Sequence, residues 1–360
     1  MRVDRVWLQD FRNYASAAFT PAPEGLTVVA GGNGQGKSNL LEAVAWLATL
    51  TSFRSAPDDA LVRRGAGQAV VRAEGERDGR TLLIETEINV GRRDRVLVNR
   101  QPLRRARDLL GALRVTVFAP DDLSLVKGGP AERRRYLDDL LVAIHPRNDA
   151  LRGDVERTLR QRTTLLKQAG GRLTSEVEAT LDVWDAKLAV AGEALARARE
   201  ELVGRLEPVL GKAYDQVAST AAEVGVGYVR SWSGPLADAL AAARLDDVRR
   251  GVTSVGPHRD ELSLSVGDLP GRTHASQGEQ RSLALALRLA GHAAVTEVTE
   301  SAPVLLLDDV FSELDPDRSE ALLAHLPPGQ ALLTTAGPLP PQAQPALVIR
   351  VAAGAIVGSS

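Results

Sequence analysis

Apolar positions follow two different rhythms along this chain, and the change of rhythm divides it. Up to about residue 122 they come in short runs: Val3 to Trp7, Leu26 to Ala30, Ala69 to Glu74, Thr81 to Val90 and Arg95 to Val98. Runs of that length, bounded by Gly, Asn and Asp, read as strands, with Asp78-Gly79 and Asn99-Arg100 as turns. One strand behaves differently. Leu26 to Ala30 leads into a glycine-rich stretch and then a helical period from Lys37 to Leu50. From about Pro130 the period lengthens. Ala131 to Ala143 and Asn148 to Ala169 are helical, and Val177, Leu181, Trp184, Leu188, Ala191, Leu195, Ala198 and Leu202 recur at alternating spacings of four and three. Such a stripe requires a partner helix, and Gly170-Gly171 supplies the turn, so an antiparallel helical hairpin is expected, ending before Gly225. A mixed segment from Val226 to Asp268 brings the chain back to strands, followed by a helix from Ser276 and strands at Val304 to Leu307 and Ala331 to Thr334. The expected organisation is therefore α/β, with residues 1–122 and 225–360 forming one domain around an inserted helical subdomain at 123–224. Trp46 and Trp184 fall on apolar helix positions and read as core rather than as stacking platforms.

Composition narrows the chemistry. The 360 residues contain no cysteine, which excludes disulfides, thiolate zinc sites and thiol nucleophiles. No run approaches the roughly 20 apolar residues of a membrane span, and Met1 to Arg5 open no leader-like stretch, so a cytoplasmic location without a membrane partner is expected. The net charge of −2 provides no global attraction for a polyanion, so nucleic-acid binding has to come from local patches. Only Lys37, Lys127, Lys167, Lys187 and Lys212 are lysines, which leaves almost all positive charge on arginine.

The glycine-rich stretch carries the first specific signal. Gly31-Gly32-Asn33-Gly34-Gln35-Gly36-Lys37-Ser38 fits G-x-x-x-x-G-K-[ST], placed after a strand and opening a helix, where the mechanics require it. The glycines let backbone N–H groups turn around phosphate oxygens, Lys37 reaches the β and γ phosphates of ATP, and Ser38 offers its hydroxyl to Mg²⁺. The second signal is Val304-Leu305-Leu306-Leu307-Asp308-Asp309, an apolar strand ending in two carboxylates. Neighbours on a strand point to opposite faces, which gives the two acids different roles. Asp308 is expected to hold Mg²⁺, and Asp309 to orient or deprotonate the attacking water.

Between these motifs lies Ser276-Gln277-Gly278-Glu279-Gln280 at a helix start. The order of phosphate loop, serine-led turn and acidic strand resembles the ABC ATPase superfamily, whose signature turn binds the γ-phosphate held by a second subunit. Ala275, Gln277 and Glu279 depart from the commonest signature, and Glu279 is similar to the SMC-like DNA-repair branch. Ser276 and Glu279 also fit a capping box, and the two readings are compatible. Phe311-Ser312-Glu313-Leu314-Asp315 resembles the superfamily's D-loop, which implicates Ser312 and Asp315 at a subunit interface. Thr335 stands at the switch position, where many members place a histidine, and Asp309 stands where most have Glu. Both departures imply slow hydrolysis.

Leu8-Gln9-Asp10-Phe11-Arg12-Asn13-Tyr14, Gly256-Pro257-His258-Arg259-Asp260 and Leu307 to Asp315 together resemble the RecF family of bacterial recombination-repair proteins, across nearly the whole chain. That resemblance implies an ABC-type P-loop ATPase head with a β-rich subdomain and an inserted α-helical hairpin. It also implies an ATP-dependent homodimer that binds gapped or single-strand/double-strand junction DNA and helps load recombinase with RecR and RecO. Arg12 and Asn13 are expected beside the nucleotide. The basic surface available for DNA is Arg92, Arg93, Arg95, Arg104 and Arg105, with Arg100, Arg107 and Arg114 nearby, unless these arginines only line a solvated hairpin. Arg133-Arg134-Arg135 reads as an ion-paired helix face, and His258 with Arg259 as either a buried polar pair or a phosphate contact. Two other functions use the same three motifs: an SMC-like DNA-bridging scaffold and the nucleotide-binding subunit of a transporter.

Overall fold

The computed structural model describes residues 1–218, 222–312 and 314–360. Residues 219–221, at the expected end of the helical insertion, and Glu313 of the D-loop-like stretch lie outside the described residues. The elements in chain order begin with β1 (Arg2–Phe11), β2 (Tyr14–Phe19), β3 (Gly25–Ala30), α1 (Lys37–Thr49), β4 (Gln68–Arg77), β5 (Arg80–Asn89), β6 (Arg95–Val98), β7 (Gln101–Pro102) and β8 (Val115–Phe118). There follow α2 (Ser124–Lys127), α3 (Pro130–Ile144), α4 (Asp149–Ala169), α5 (Ser175–Val217), β9 (Val224–Val229), α6 (Leu236–Arg250), β10 (Glu261–Val266), β11 (Leu269–Pro270) and α7 (Gly271–His274). The chain closes with α8 (Gln277–Thr299), β12 (Val304–Asp308), α9 (Pro316–Ala324), β13 (Gln330–Thr335), β14 (Leu347–Ala352) and β15 (Ala355–Ser359).

Two compact units emerge. The first comprises Met1–Leu123, Lys212–Ala221 and Arg281–Ser360. It holds two six-stranded sheets, ordered β2-β1-β4-β5-β6-β7 and β15-β14-β3-β13-β12-β8. In the second sheet β14, β3, β13, β12 and β8 run parallel. Every residue of β12 and β13 is buried, as parallel strands covered on both faces should be. The first sheet is antiparallel and two-faced. Val6, Leu8 and Phe11 of β1 point into the core, while Trp7 faces outward with the Arg5 and Arg72 guanidinium carbons 4.8 and 4.9 Å from its ring. Asp78-Gly79 and Asn99-Arg100 adopt positive φ at both positions, the geometry that matches the twist of tight hairpins. The core of this unit gathers Leu40, Leu41, Val44 and Leu47 of α1 with residues of both sheets, among them Val6, Ile84 and Leu332. Each such fully buried side chain stabilises the unit by about 1.5–3 kcal/mol.

The second unit comprises Ser124–Gly211 and Ala222–Gln280. It contains the helical hairpin, turned by Gly170 and Gly171 at φ 56 and 82, and a three-stranded sheet ordered β11-β10-β9. The sequence expectation returned the chain to the ATPase domain at residue 225, whereas residues 225–280 cluster with the helices. The reason is a set of buried ion pairs invisible to hydrophobic periodicity. Fully buried Arg162 of α4 contacts Asp185 of α5 at 2.6 Å and Asp247 of α6 at 2.7 Å. Arg199 of α5 forks onto Asp138 of α3 and donates to Pro257 O at 2.8 Å. The arginine triplet of α3 is also no simple surface face. Arg133 is buried, forks onto Glu261 of β10 at 2.7 and 3.0 Å, and donates to the carbonyls of Leu125 and Gly128 at the end of α2. Trp184, expected in the core, is half-buried with Lys187 Nζ 4.9 Å from its ring.

Candidate nucleotide-binding site

The carboxyl ends of β3, β12 and β13 lie side by side in the parallel sheet, and the residues just beyond them form the site. After β3 the chain turns through Gly31–Gly36 into α1. Gly36 sits at φ 113, and a Cβ there would lie 2.6 Å from the Asn13 side chain and 2.9 Å from the Tyr14 hydroxyl. A Cβ on Gly31 would meet Val351 O at 2.3 Å. Both positions therefore require glycine. The loop backbone is held by distant neighbours: Asn13 Nδ2 and Gly354 N donate to Gln35 O at 3.0 Å each, and Tyr14 Oη donates to Gly36 O at 3.0 Å. Gly31 N donates to Thr335 O at 3.3 Å. No side chain caps α1, so its first N–H groups are available to an anion. Lys37, largely buried, folds its ammonium onto Gly32 O at 2.9 Å, inside the loop where phosphates are expected.

Asp308 ends β12 buried. Burial pushes its pKa up, while hydrogen bonds from Ser38 and Thr334 and the positive charge of Arg54 pull against it. The Thr334 hydroxyl donates to Asp308 Oδ1 at 2.8 Å and accepts from Asp309 N at 2.9 Å, fixing both acids. Asp309 takes the left-handed φ of 48 and so leaves the strand. A buried carboxylate brought together with a serine hydroxyl fits a magnesium ion, a hard cation that takes few protein oxygens and completes its shell with phosphate and water. Among the described residues no group of three His, Asp or Glu side chains is placed to cage a metal.

The structure distributes the other expected residues unevenly. Asn13 touches the loop, and it also accepts from Asn39 Nδ2 at 2.7 Å. Arg12 does not turn to the nucleotide loop. Its guanidinium forks onto the fully buried Glu42 of α1 at 2.7 and 2.6 Å and donates to Ala60 O at 2.9 Å, because a buried carboxylate demands a hydrogen-bonded counter-charge. Thr335 Oγ1 is turned into the following bend, donating to Gly337 O at 3.1 Å, and Thr334 is the threonine that contacts the acids. Ser312 Oγ donates to Asp309 O at 2.8 Å. Asp315 caps α9 by accepting from Arg318 N at 2.9 Å, a bond that lowers its pKa. Arg54 was not expected from any motif. It lies just past α1, donates to Asn39 Oδ1 at 3.2 Å and lends its charge to Asp308.

In the second unit the Ser276 turn forms a complete capping box. Ser276 N donates to Glu279 Oε2 at 2.7 Å, and Glu279 N donates to Ser276 Oγ at 3.3 Å. Gln280 is buried and donates to Gly271 O and Arg272 O, while Ser276 and Gln277 are exposed and Gly278 half-exposed. Of the basic patch, Arg95 lies 3.6 Å from Glu87 and Arg105 is paired with Asp108 at 2.9 Å. Arg93 donates to Arg104 O at 3.0 Å, and Arg92 and Arg104 are exposed.

Comparison with known proteins agrees with this geometry. The profile of the RecF/RecN/SMC N-terminal domain matches residues 2–331. The chain is 46% identical over 352 residues to the DNA replication and repair protein RecF of Streptomyces avermitilis, covering 93% of each. It is 46% identical over 354 residues to that of Frankia alni, again covering 93% of each. Its fold matches a solved structure of the recombination mediator protein RecF with ATP in the RecFOR pathway at TM-score 0.91 and 28% identity, covering 99% of this chain and 96% of that one. The Smc head domain of Pyrococcus furiosus, at TM-score 0.58 and 15% identity over 100% and 96% of the two chains, shares the fold alone. Among the described residues no helix is long and apolar enough to cross a membrane. A match over nearly the whole chain, in sequence and in architecture, decides the matter: the chain belongs to the RecF family of DNA replication and repair proteins, built as an ABC-type ATPase of the SMC-like kind.

Proposed function

We propose that this protein is an ATP-gated DNA-binding switch of recombinational repair. The observation that carries the reading is the meeting, at one sheet edge, of an uncapped helix start, a buried Lys37 and a Ser38–Asp308 pair. The helix-start N–H groups and Lys37 take the phosphates of ATP, and Ser38 with Asp308 holds Mg²⁺, which when bound neutralises charge developing between the β and γ phosphates. Asp309, fixed through its backbone by Thr334, orients the attacking water. Its short carboxylate, with no histidine at Thr335, favours slow hydrolysis that DNA accelerates. Ser276, Gln277 and Gly278 of a second copy cover the γ-phosphate, so ATP joins two chains and hydrolysis parts them. The joined pair binds gapped or junction DNA, with Arg92, Arg93, Arg95, Arg104 and Arg105 available to phosphates, and acts with RecR and RecO. Relatives described within the RecFOR pathway support that assignment.

The test is particle mass. Asp309→Asn retains ATP but has no group to take the water's proton, and with ATP and Mg²⁺ it should elute at twice the monomer mass by light scattering. Adding Ser276→Arg to that variant should leave ATP binding intact and return the mass to that of a monomer. A strictly monomeric Asp309→Asn protein at high concentration would overturn the shared site.

A further inference from the structure

The Gly256–Asp260 loop of the second unit is held by hydrogen bonds from several elements. Asp260 is fully buried, accepts from Ser231 N at 2.8 Å and from the Tyr228 hydroxyl, and anchors the end of the loop. Ser231 Oγ and Gly256 bond each other through Gly256 O and Gly256 N at 2.9 and 3.0 Å. His258 donates Nε2–H to Thr253 O at 3.0 Å, and Thr253 in turn is held by Arg162 Nη1 at 2.9 Å. Such support fixes a backbone, and what it fixes here is a pair of arginines.

Arg134 of α3 donates to Asp260 O at 2.7 Å, one residue from Arg259. Burial pushes the His258 pKa down to about 4, and the Arg259 and Arg134 guanidinium groups lie close enough to add to that shift. Arg134 is half-buried and stands beside Arg199, and burial followed by that neighbouring charge lowers its pKa. Elsewhere in this unit Arg133, Arg162, Arg199, Arg230 and Arg244 each hold a carboxylate oxygen at 2.6–2.8 Å. Among the described residues Arg134 and Arg259 hold none, although Glu261, Asp260 and Asp138 act on Arg134 from a greater distance. Arg259 shares Thr253 O between Nε and Nη2 at 3.4 and 3.2 Å, the long end of the hydrogen-bond range, and its side chain is exposed. Two guanidinium groups therefore stand beside one imidazole, one from α3 and one from a pinned loop, and neither is committed to an ion pair among the described residues.

We propose that Arg134 and Arg259 form a phosphate notch that takes a backbone phosphate of DNA, with His258 as a positioning residue that holds the loop. The inference rests on the DNA-binding reading above. A phosphodiester presents two free oxygens in different directions, which suits two guanidinium groups arriving from a helix and a loop, whereas one acidic side chain matches a single fork. The notch is separate in the chain from the Ser276 turn: Arg259 precedes β10, whereas Ser276 follows β11 and α7.

The measurement is binding of a fluorescein-labelled gapped duplex to the ATP-loaded full chain by anisotropy, across a series of KCl concentrations. Each phosphate contact contributes about 0.9 to the slope of log affinity against log salt. Arg134→Gln with Arg259→Gln removes that one phosphate contact and should weaken binding and flatten the slope by about 0.9, with ATP affinity unchanged. Arg259→Gln alone changes an exposed side chain and should flatten it by part of that amount, and Arg259→Lys should restore most of the slope. An unchanged slope in both glutamine variants overturns the notch, and so does loss of poly-glutamate binding with DNA binding intact, which would assign the arginines to an acidic protein. If the unaltered protein itself fails to bind the duplex with ATP, the DNA-binding reading fails instead.

Discussion

Gly31–Ser38 is held by residues far away in sequence, whereas Ser276–Gln280 is closed by a capping box of its own. The glycine loop takes hydrogen bonds from Asn13, Tyr14 and Gly354, and its helix is steadied by Arg12 on Glu42. The Ser276 turn closes its own capping box, and Gln280 donates to the carbonyls of Gly271 and Arg272. The first arrangement is preorganised for a triphosphate before one arrives. The second presents exposed donors at a self-sufficient helix start and needs a ligand brought to it. In the proposed shared site, this division would place rigidity where the nucleotide is captured and keep the complementary surface simple enough to engage and release.

Three substitutions probe that contrast, beginning with the largest effect. Lys37→Met removes the ammonium from the cradle and should lower ATP affinity by about 100-fold or more, read by titration with a fluorescent ATP analogue; near-normal affinity would remove the nucleotide assignment. Arg12→Ala strands Glu42 in the core and should cost about 3–5 kcal/mol in urea unfolding. A loss below about 1 kcal/mol would mean that the loop's long-range bracing is ornamental. Ser276→Ala deletes one arm of the capping box and should cost only about 1 kcal/mol in the same measurement. A much larger loss would show that the turn depends on more than its own four residues.

The same contrast explains what could be read from the sequence. Turn chemistry and capping are local, so Asp78-Gly79, Asn99-Arg100, Gly170-Gly171 and the Ser276–Glu279 pair were legible, as were β3, α1 and β12. Elements recruited by distant partners were not. β14 and β15 follow a proline-rich stretch with no motif, yet β14 pairs with β3 in the central sheet and its hairpin turn braces Gln35. α6 was missed because its mean apolarity is weak, and its place is fixed by Asp247 on Arg162. Arg12 and Asn13 show the limit most clearly. They are adjacent in the same motif, yet one supports the loop and the other neutralises a carboxylate, a difference settled by Glu42, thirty positions away in the sequence.

The burial of α1 has a mechanical consequence. Ten of its thirteen residues are buried, including the charged Lys37 and Glu42, so the helix behind the phosphate loop has no free side along which to slide or tilt. Capturing ATP therefore cannot push this helix like a piston. It serves as the fixed post, and whatever travels when the nucleotide is cleaved has to be something that leans on it.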